Sequence, residues 1–206
     1  MKTIDEIFKA QVEIKKSNFL AFLTPISKFK TLHEQLKNDH PKAVHIVWAY
    51  RELNKFSQIV ENQSDDGEPK GTSGAPSLNA LRGADLINVG VFIVRYFGGI
   101  KLGTGGLVRA YGSAVNLVIK DAILLDFTQK FQAIFFVPFS LVSRVEHFLN
   151  KEMIDTLWRE FDGVGAVWSV NFKQDEFLKF YEFCKDFSLF GFKFLALPLF
   201  AKELSF

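Results

Sequence analysis

Residues 87–120 read INVGVFIVRYFGGIKLGTGGLVRAYGSAVNLVIK, and this stretch decides the fold class. Its first part, 87–96, is an almost unbroken apolar run, which predicts a strand covered on both faces. Its middle, FGGIKLGTGG at 97–106, holds five glycines in ten positions. From Gly106 to about Lys120 a helical period returns. Leu107, Ala110, Tyr111, Ala114 and Val118 line one face; Arg109, Gly112, Ser113, Asn116 and Lys120 line the other. A glycine-rich junction between strand and helix allows positive φ and close approach, and a helix N-terminus favours anions. Gly98, Gly99, Gly103, Gly105 and Gly106, with Arg95, Lys101 and Arg109 around them, are therefore candidates for an anion or phosphate site. The spacing matches neither the P-loop nor the dinucleotide-binding pattern. A tight connection whose glycines serve packing alone is the competing reading.

Upstream, residues 12–24 predict two strand pieces broken near Lys16-Ser17-Asn18. Residues 28–39 predict a helix closed by Pro41, with Phe29, Leu32 and Leu36 at helical spacing. Strands follow at 43–50 and 55–60. Residues 61–76, ENQSDDGEPKGTSGAP, carry almost no apolar side chains and predict a long surface loop, of the length that usually has a function. Pro76 suits the first turn of a short helix running through Ala84. Within the loop, Asp65, Asp66 and Glu68 put three carboxylates in four positions around Gly67. A structural or binding role is favoured over a metal site, because the spacing does not fit a calcium loop. On the strand at 43–50, His45 shares a face with Val47, Ala49 and Arg51. It reads as a hydrogen-bonded structural histidine ahead of a general base.

Downstream, a second unit begins near Phe127-Thr128-Gln129. Strand 130–138, helix 140–151, strands 153–161 and 164–172 joined at Asp162-Gly163, helix 175–188 and strand 192–200 make a β-α-β-β-α-β, ferredoxin-like order. The apolar segment 189–200 reads as a strand facing the domain core.

The bulk composition narrows the function classes. Over 206 residues, 25 basic and 23 acidic side chains leave a net charge of +2, so no global field draws in nucleic acid or anionic lipid. The 24 phenylalanines must mostly fill cores. Cys184 is the single cysteine and sits in an amphipathic stretch as a packing residue. The charged N-terminus does not fit a signal peptide, and no apolar run approaches the ~20 residues of a membrane helix. A cytoplasmic protein is expected.

The segments SDDGEPKGTSGAP (64–76) and VRYFGGIKLGTGGLVRAYGSAV (94–115) resemble the signature of the YigZ/IMPACT family. EIKKSNF (13–19) and HPKAVHIVWAYR (40–51) resemble further family segments. The resemblance covers roughly the first 125 residues. It implies an α+β chain of two domains. The first, 1–126, would resemble the second domain of ribosomal protein S5. The second, 127–206, would resemble domain V of elongation factor G. It also implies regulation of translation, as in the eukaryotic relatives.

The expected function is a translation-associated binding protein, rather than an enzyme, that contacts the ribosome, RNA or a translation factor through the glycine loop. The alternative is an enzyme acting on a phosphorylated small molecule, with magnesium on the acidic loop. The expected binding residues are Asp65, Asp66, Gly67, Glu68, Arg95, Tyr96, Gly98, Gly99, Lys101, Gly103, Gly105, Gly106 and Arg109. Lys15 and Lys16 are further cations that would join a basic patch. No catalytic residue, metal or cofactor is assigned, and neither DNA specificity nor membrane attachment is expected.

Overall fold

A computed structural model of the protein describes residues 1–202. It forms two compact units, Met1–Phe127 and a second beginning at Thr128, each of mixed α+β architecture. In the first unit the elements run β1 (Lys2–Thr3), β2 (Phe8–Ile14), β3 (Ser17–Pro25), α1 (Phe29–Asp39), β4 (His45–Leu53), β5 (Ile59–Ser64), α2 (Gly74–Gly83), β6 (Val89–Tyr96), α3 (Thr104–Asp121) and β7 (Leu125–Asp126).

The main sheet has the order β2-β3-β6-β4-β5, antiparallel throughout. β6 lies at its centre, and seven of its eight residues are buried. Val89, Val91 and Ile93 face a core built with α2 and α3, while Phe92 and Val94 face one built with Leu32 and Leu36 of α1. Helices on both faces explain the absence of polar alternation in this strand. Burial of each such side chain stabilises by about 1.5–3 kcal/mol. Gly90 is required here because a Cβ would meet the Phe29 ring at 2.1 Å.

β5 differs from the sequence reading. It starts at Ile59 and runs on through the polar residues Glu61, Asn62, Gln63 and Ser64, so the surface loop begins only at Asp65. The cause is a charge pairing: Arg51 lies opposite Glu61, donates Nε–H to it at 2.7 Å, and Arg82 of α2 binds the same carboxylate. An edge strand can be polar because one margin pairs and the other faces water.

The second unit contains β8 (Phe131–Pro138), α4 (Phe139–Lys151), β9 (Thr156–Phe161), β10 (Gly165–Phe172), α5 (Gln174–Cys184) and β11 (Lys193–Ala196). The sheet order β11-β8-β10-β9 is the split βαβ arrangement. Phe135, Phe172, Phe177, Phe180 and Phe192 fill its core, which accounts for much of the phenylalanine content. Asp162 closes the β9–β10 turn by accepting the N–H groups of Val164 and Gly165. Cys184 is buried, and burial pushes its thiol well above the ordinary range. The segment 189–200 is less regular than its apolar sequence predicts. Gly191 turns the chain at φ +92°, only Lys193–Ala196 pairs with β8, and Leu189 and Phe190 are exposed.

Candidate functional site

The ends of β4 and β6 place two functional side chains side by side. His45 is the direct register partner of Arg95, and both lie on the face that carries α2 and α3. Between them sits Glu68, delivered by the turn after β5. Its Oε1 accepts from Arg95 Nη1 and from the Tyr111 hydroxyl of α3 at 2.8 Å, and lies 3.8 Å from His45 Nε2. The Glu68 side chain is 3% exposed and that of Arg95 7%. Burial, reinforced by the Glu68 carboxylate, holds the Tyr111 hydroxyl protonated far above the phenol range.

This pairing corrects the reading of Arg95 as an available cation. Its charge is matched in place by Glu68, and its guanidinium lies 5.5 Å from the Phe19 ring and 5.7 Å from that of Phe97. A charge is tolerated inside a domain when it is paired and hydrogen-bonded. Arg95 therefore builds the site's floor. Tyr96 is also displaced from the expected set. One residue along the strand turns its side chain to the α1 face, where its hydroxyl lies 2.8 Å from His40 Nδ1.

The acidic loop is largely self-contained. Asp65 accepts the N–H groups of Gly71, Ser73 and Gly74 at 2.8–3.1 Å and the Ser73 hydroxyl at 2.7 Å, closing the entry to α2. Burial raises its carboxyl, but these hydrogen bonds outweigh that and hold it below the usual range. Asp66 accepts the Ile46 N–H through Oδ2, while its carbonyl accepts His45 Nδ1–H at 2.6 Å. Gly67 adopts φ +86°, and a Cβ there would stand 3.4 Å from the His45 ring. Asp65 and Asp66 thus hold the loop and the histidine in place, and Glu68 is the member of the trio that reaches the site. Among the described residues, no group of three His, Cys, Asp or Glu side chains is placed to hold a metal ion.

The glycine loop is open by contrast. Gly98 packs against the β2–β3 hairpin: a Cβ would meet the Lys16 carbonyl carbon at 2.0 Å, and its N–H donates to Ser17 Oγ at 3.1 Å. Gly99 and Gly103 have φ of +84° and +73°, a region that costs other residues about 1–2 kcal/mol. α3 then begins at Thr104 with no side-chain cap among the described residues. Gly105 and Gly106 keep side chains off its first turn. The contact at Gly98 sets Lys15 and Lys16 beside the loop, both exposed and both at positive φ in a two-residue turn. Lys101 is exposed at the loop's crest. Arg109 projects from the outward face of α3, where the nearest atom to a Cβ on Gly105 is its Nη1, 3.7 Å away.

Between the two loops lies a cleft of about 430 Å³. His45, Glu68, Arg95, Lys101 and Thr104 supply its polar lining, and Val44, Pro69, Phe97, Leu102 and Leu107 its apolar walls. Phe97 and Val44 are about half exposed at its rim. Sequence reasoning did not single out Phe97 or Val44, and placed Tyr111 only in the helix core. The signal available was that Arg95 and Phe97 flank the start of the glycine-rich junction and that His45 opens a strand.

The Impact N-terminal domain model matches residues 15–119, which contain every residue of this cleft. An IMPACT family member from Haemophilus influenzae is 43% identical over 111 residues, 52% of this chain and 54% of that protein. The chain thus matches about half the length of that relative. One from Thermus thermophilus is 39% identical over 145 residues, covering 69% of this chain and 76% of its own. The crystal structure of a hypothetical protein superposes with a TM-score of 0.68 at 28% identity, covering 96% of this chain and 97% of that one. With its N-terminal unit matched across the glycine loop and the acidic loop together, this chain belongs to the IMPACT family.

Proposed function

We propose that the protein is a translation-associated binding protein that contacts RNA on the ribosome through the glycine loop. The observation that carries this reading is the open loop itself: a first turn of α3 with no side-chain cap among the described residues, and Lys16 and Lys101 exposed beside it. Backbone N–H groups and lysines contact phosphates without reading sequence. The half-exposed Phe97 adds a surface on which a base can stack. The translational setting follows from the resemblance of residues 64–76 and 94–115 to their family, and the geometry is compatible with it. A near-neutral chain can bind RNA in this way when its cations are gathered locally.

A second reading, an enzyme acting on a phosphorylated small molecule, draws on the cleft's size, which is in the range of small-ligand sites. Asp65, which that reading would use as a magnesium ligand, already accepts four hydrogen bonds. That engagement favours the first reading.

The test is co-sedimentation with ribosomes at low and moderate salt, comparing wild type with Lys16→Glu/Lys101→Glu. Binding that weakens with salt and is lost in the variant supports phosphate contact through the loop. Absence of co-sedimentation at every salt concentration sinks the ribosomal reading. A thermal shift with phosphorylated small molecules in its place would establish the second.

A further inference from the structure

The turn between β2 and β3 works against its own residues. Ile14 pairs with Ser17, so Lys15 and Lys16 make up the whole turn, and their φ values are +48° and +62°. A two-residue hairpin turn with both φ positive follows the type I′ pattern, which favours Asn-Gly or Asp-Gly. Asparagine and aspartate tolerate this region through short local hydrogen bonds, and glycine has no Cβ to clash. Lysine has neither advantage, so the turn is strained at both positions. Among the described residues these are the only two consecutive non-glycine residues at positive φ. The single cases elsewhere include Asp66, Asp85 and Asn88, which are of the tolerant kind.

Packing does not account for the two lysines. Both are exposed. The turn docks on the glycine loop through its backbone: the Lys16 carbonyl lies against Gly98, and the buried Ser17 Oγ accepts the Gly98 N–H at 3.1 Å. That contact does not need a lysine side chain. Ion pairing does not account for them either, since neither ammonium meets a carboxylate among the described residues. What Lys15 and Lys16 add is a pair of adjacent, unmatched positive charges. The fixed turn holds them beside the glycine loop, which carries the exposed Lys101.

We propose that the Lys15–Lys16 turn is a phosphate-gripping element of the RNA surface, and that its strained backbone is tolerated because it presents two cations to the strand. The inference rests on the RNA-binding reading above and extends it. Affinity comes from the turn as well as from the glycine loop, and it is gained at the expense of stability. Lys15 is thereby a binding residue alongside Lys16 and Lys101. Such contacts position the strand and carry no base preference. The same two positions then give opposite answers for folding and for binding: the residues that suit the turn are those that empty the surface of charge.

The experiment compares the full chain with two double variants. Lys15→Ala/Lys16→Ala removes both charges and leaves a Cβ at each strained position. Lys15→Asn/Lys16→Gly removes the charges and supplies the residues the turn favours. Stability is read from exchange of the β6 amides, and binding from fluorescence anisotropy with a labelled ten-nucleotide RNA of mixed sequence across a range of salt. Both variants are expected to bind at least 10-fold more weakly at about 0.1 M salt, with the salt slope reduced by about one per lysine. The Asn-Gly variant alone is expected to slow β6 exchange, by about 5-fold, as the strain is relieved. If either variant keeps wild-type affinity and slope, the turn is not an RNA contact and the proposal falls. If the Asn-Gly variant exchanges no more slowly than the alanine variant, the strain is not there to be relieved and the proposal falls on that side. Wild type that binds no RNA at any salt is a different result, seen before any variant is made, and means that the RNA reading itself has failed.

Discussion

The acidic loop after β5 and the glycine loop after β6 look equally functional as letters, but the structure uses them in opposite ways. In the acidic loop the side chains are consumed at home: Asp65 closes the entry to α2, Asp66 anchors β4 and His45, and Glu68 neutralises Arg95. In the glycine loop five of ten positions carry no side chain, no side chain among the described residues caps α3, and the cations beside it are exposed. The first is scaffold and the second is surface. A charged cluster in sequence does not tell whether its charges are already spoken for; the count of hydrogen bonds does.

This contrast predicts that substitutions in the acidic loop cost stability, and those in the glycine loop's cations cost binding. The largest effect is expected for Glu68→Ala, which leaves Arg95 buried without its carboxylate. The expected loss is about 3–5 kcal/mol, measured as faster exchange of the β6 amides, which reports the first unit alone. Replacing both partners, Glu68→Leu with Arg95→Met, should recover most of that stability. If Glu68→Ala is neutral, the ion pair is not what holds the site's floor.

Asp65→Ala comes next, at about 2–4 kcal/mol, for a lost cap and backbone donors left without an acceptor. This contribution depends on pH. The carboxyl is held below its unfolded value, so its stabilisation is present above the unfolded pKa of ~3.9 and is lost as pH falls through the folded value. The stability gap between wild type and Asp65→Ala should therefore narrow on acidification, as followed by chemical denaturation at pH 7 and below pH 4. A gap constant with pH would show that the carboxylate's charge is not what ties the loop.

Gly98→Ala is expected to cost about 1–3 kcal/mol, because its Cβ would overlap the Lys16 backbone and push hairpin and loop apart. Both stability and RNA affinity should fall, which marks Gly98 as the joint between scaffold and surface. Lys16→Ala and Lys101→Ala give the smallest stability effect, within about 0.5 kcal/mol. Each should lower the salt slope of RNA binding by about one. Unchanged slopes in salt titrations would detach these lysines from the surface.

The elements were readable where one periodicity ruled. β6 announced itself by the nearly unbroken apolar run at 87–96, and α3 by the 3.6-residue spacing of Leu107, Ala110, Tyr111, Ala114 and Val118. β5 was half missed because Glu61–Ser64 is polar, and its pairing depends on Arg51 and Arg82 from other elements. Of the site, the glycines and Lys101 were legible from local composition. The capture of Arg95 by Glu68, 27 residues away, was not, because burial of a cation is decided by what folds over it. The same holds for His45: alternation along 43–50 assigns its strand face, and only the fold sets Nε2 against Glu68.

The most direct test of the division between scaffold and surface is amide hydrogen exchange of the full chain with and without single-stranded RNA. Binding is expected to add protection in Phe97–Gly106, with the Gly71, Ser73 and Gly74 amides held by Asp65 protected equally in both states. New protection confined to the 65–74 loop, or none at 97–106 while RNA is bound, would contradict it.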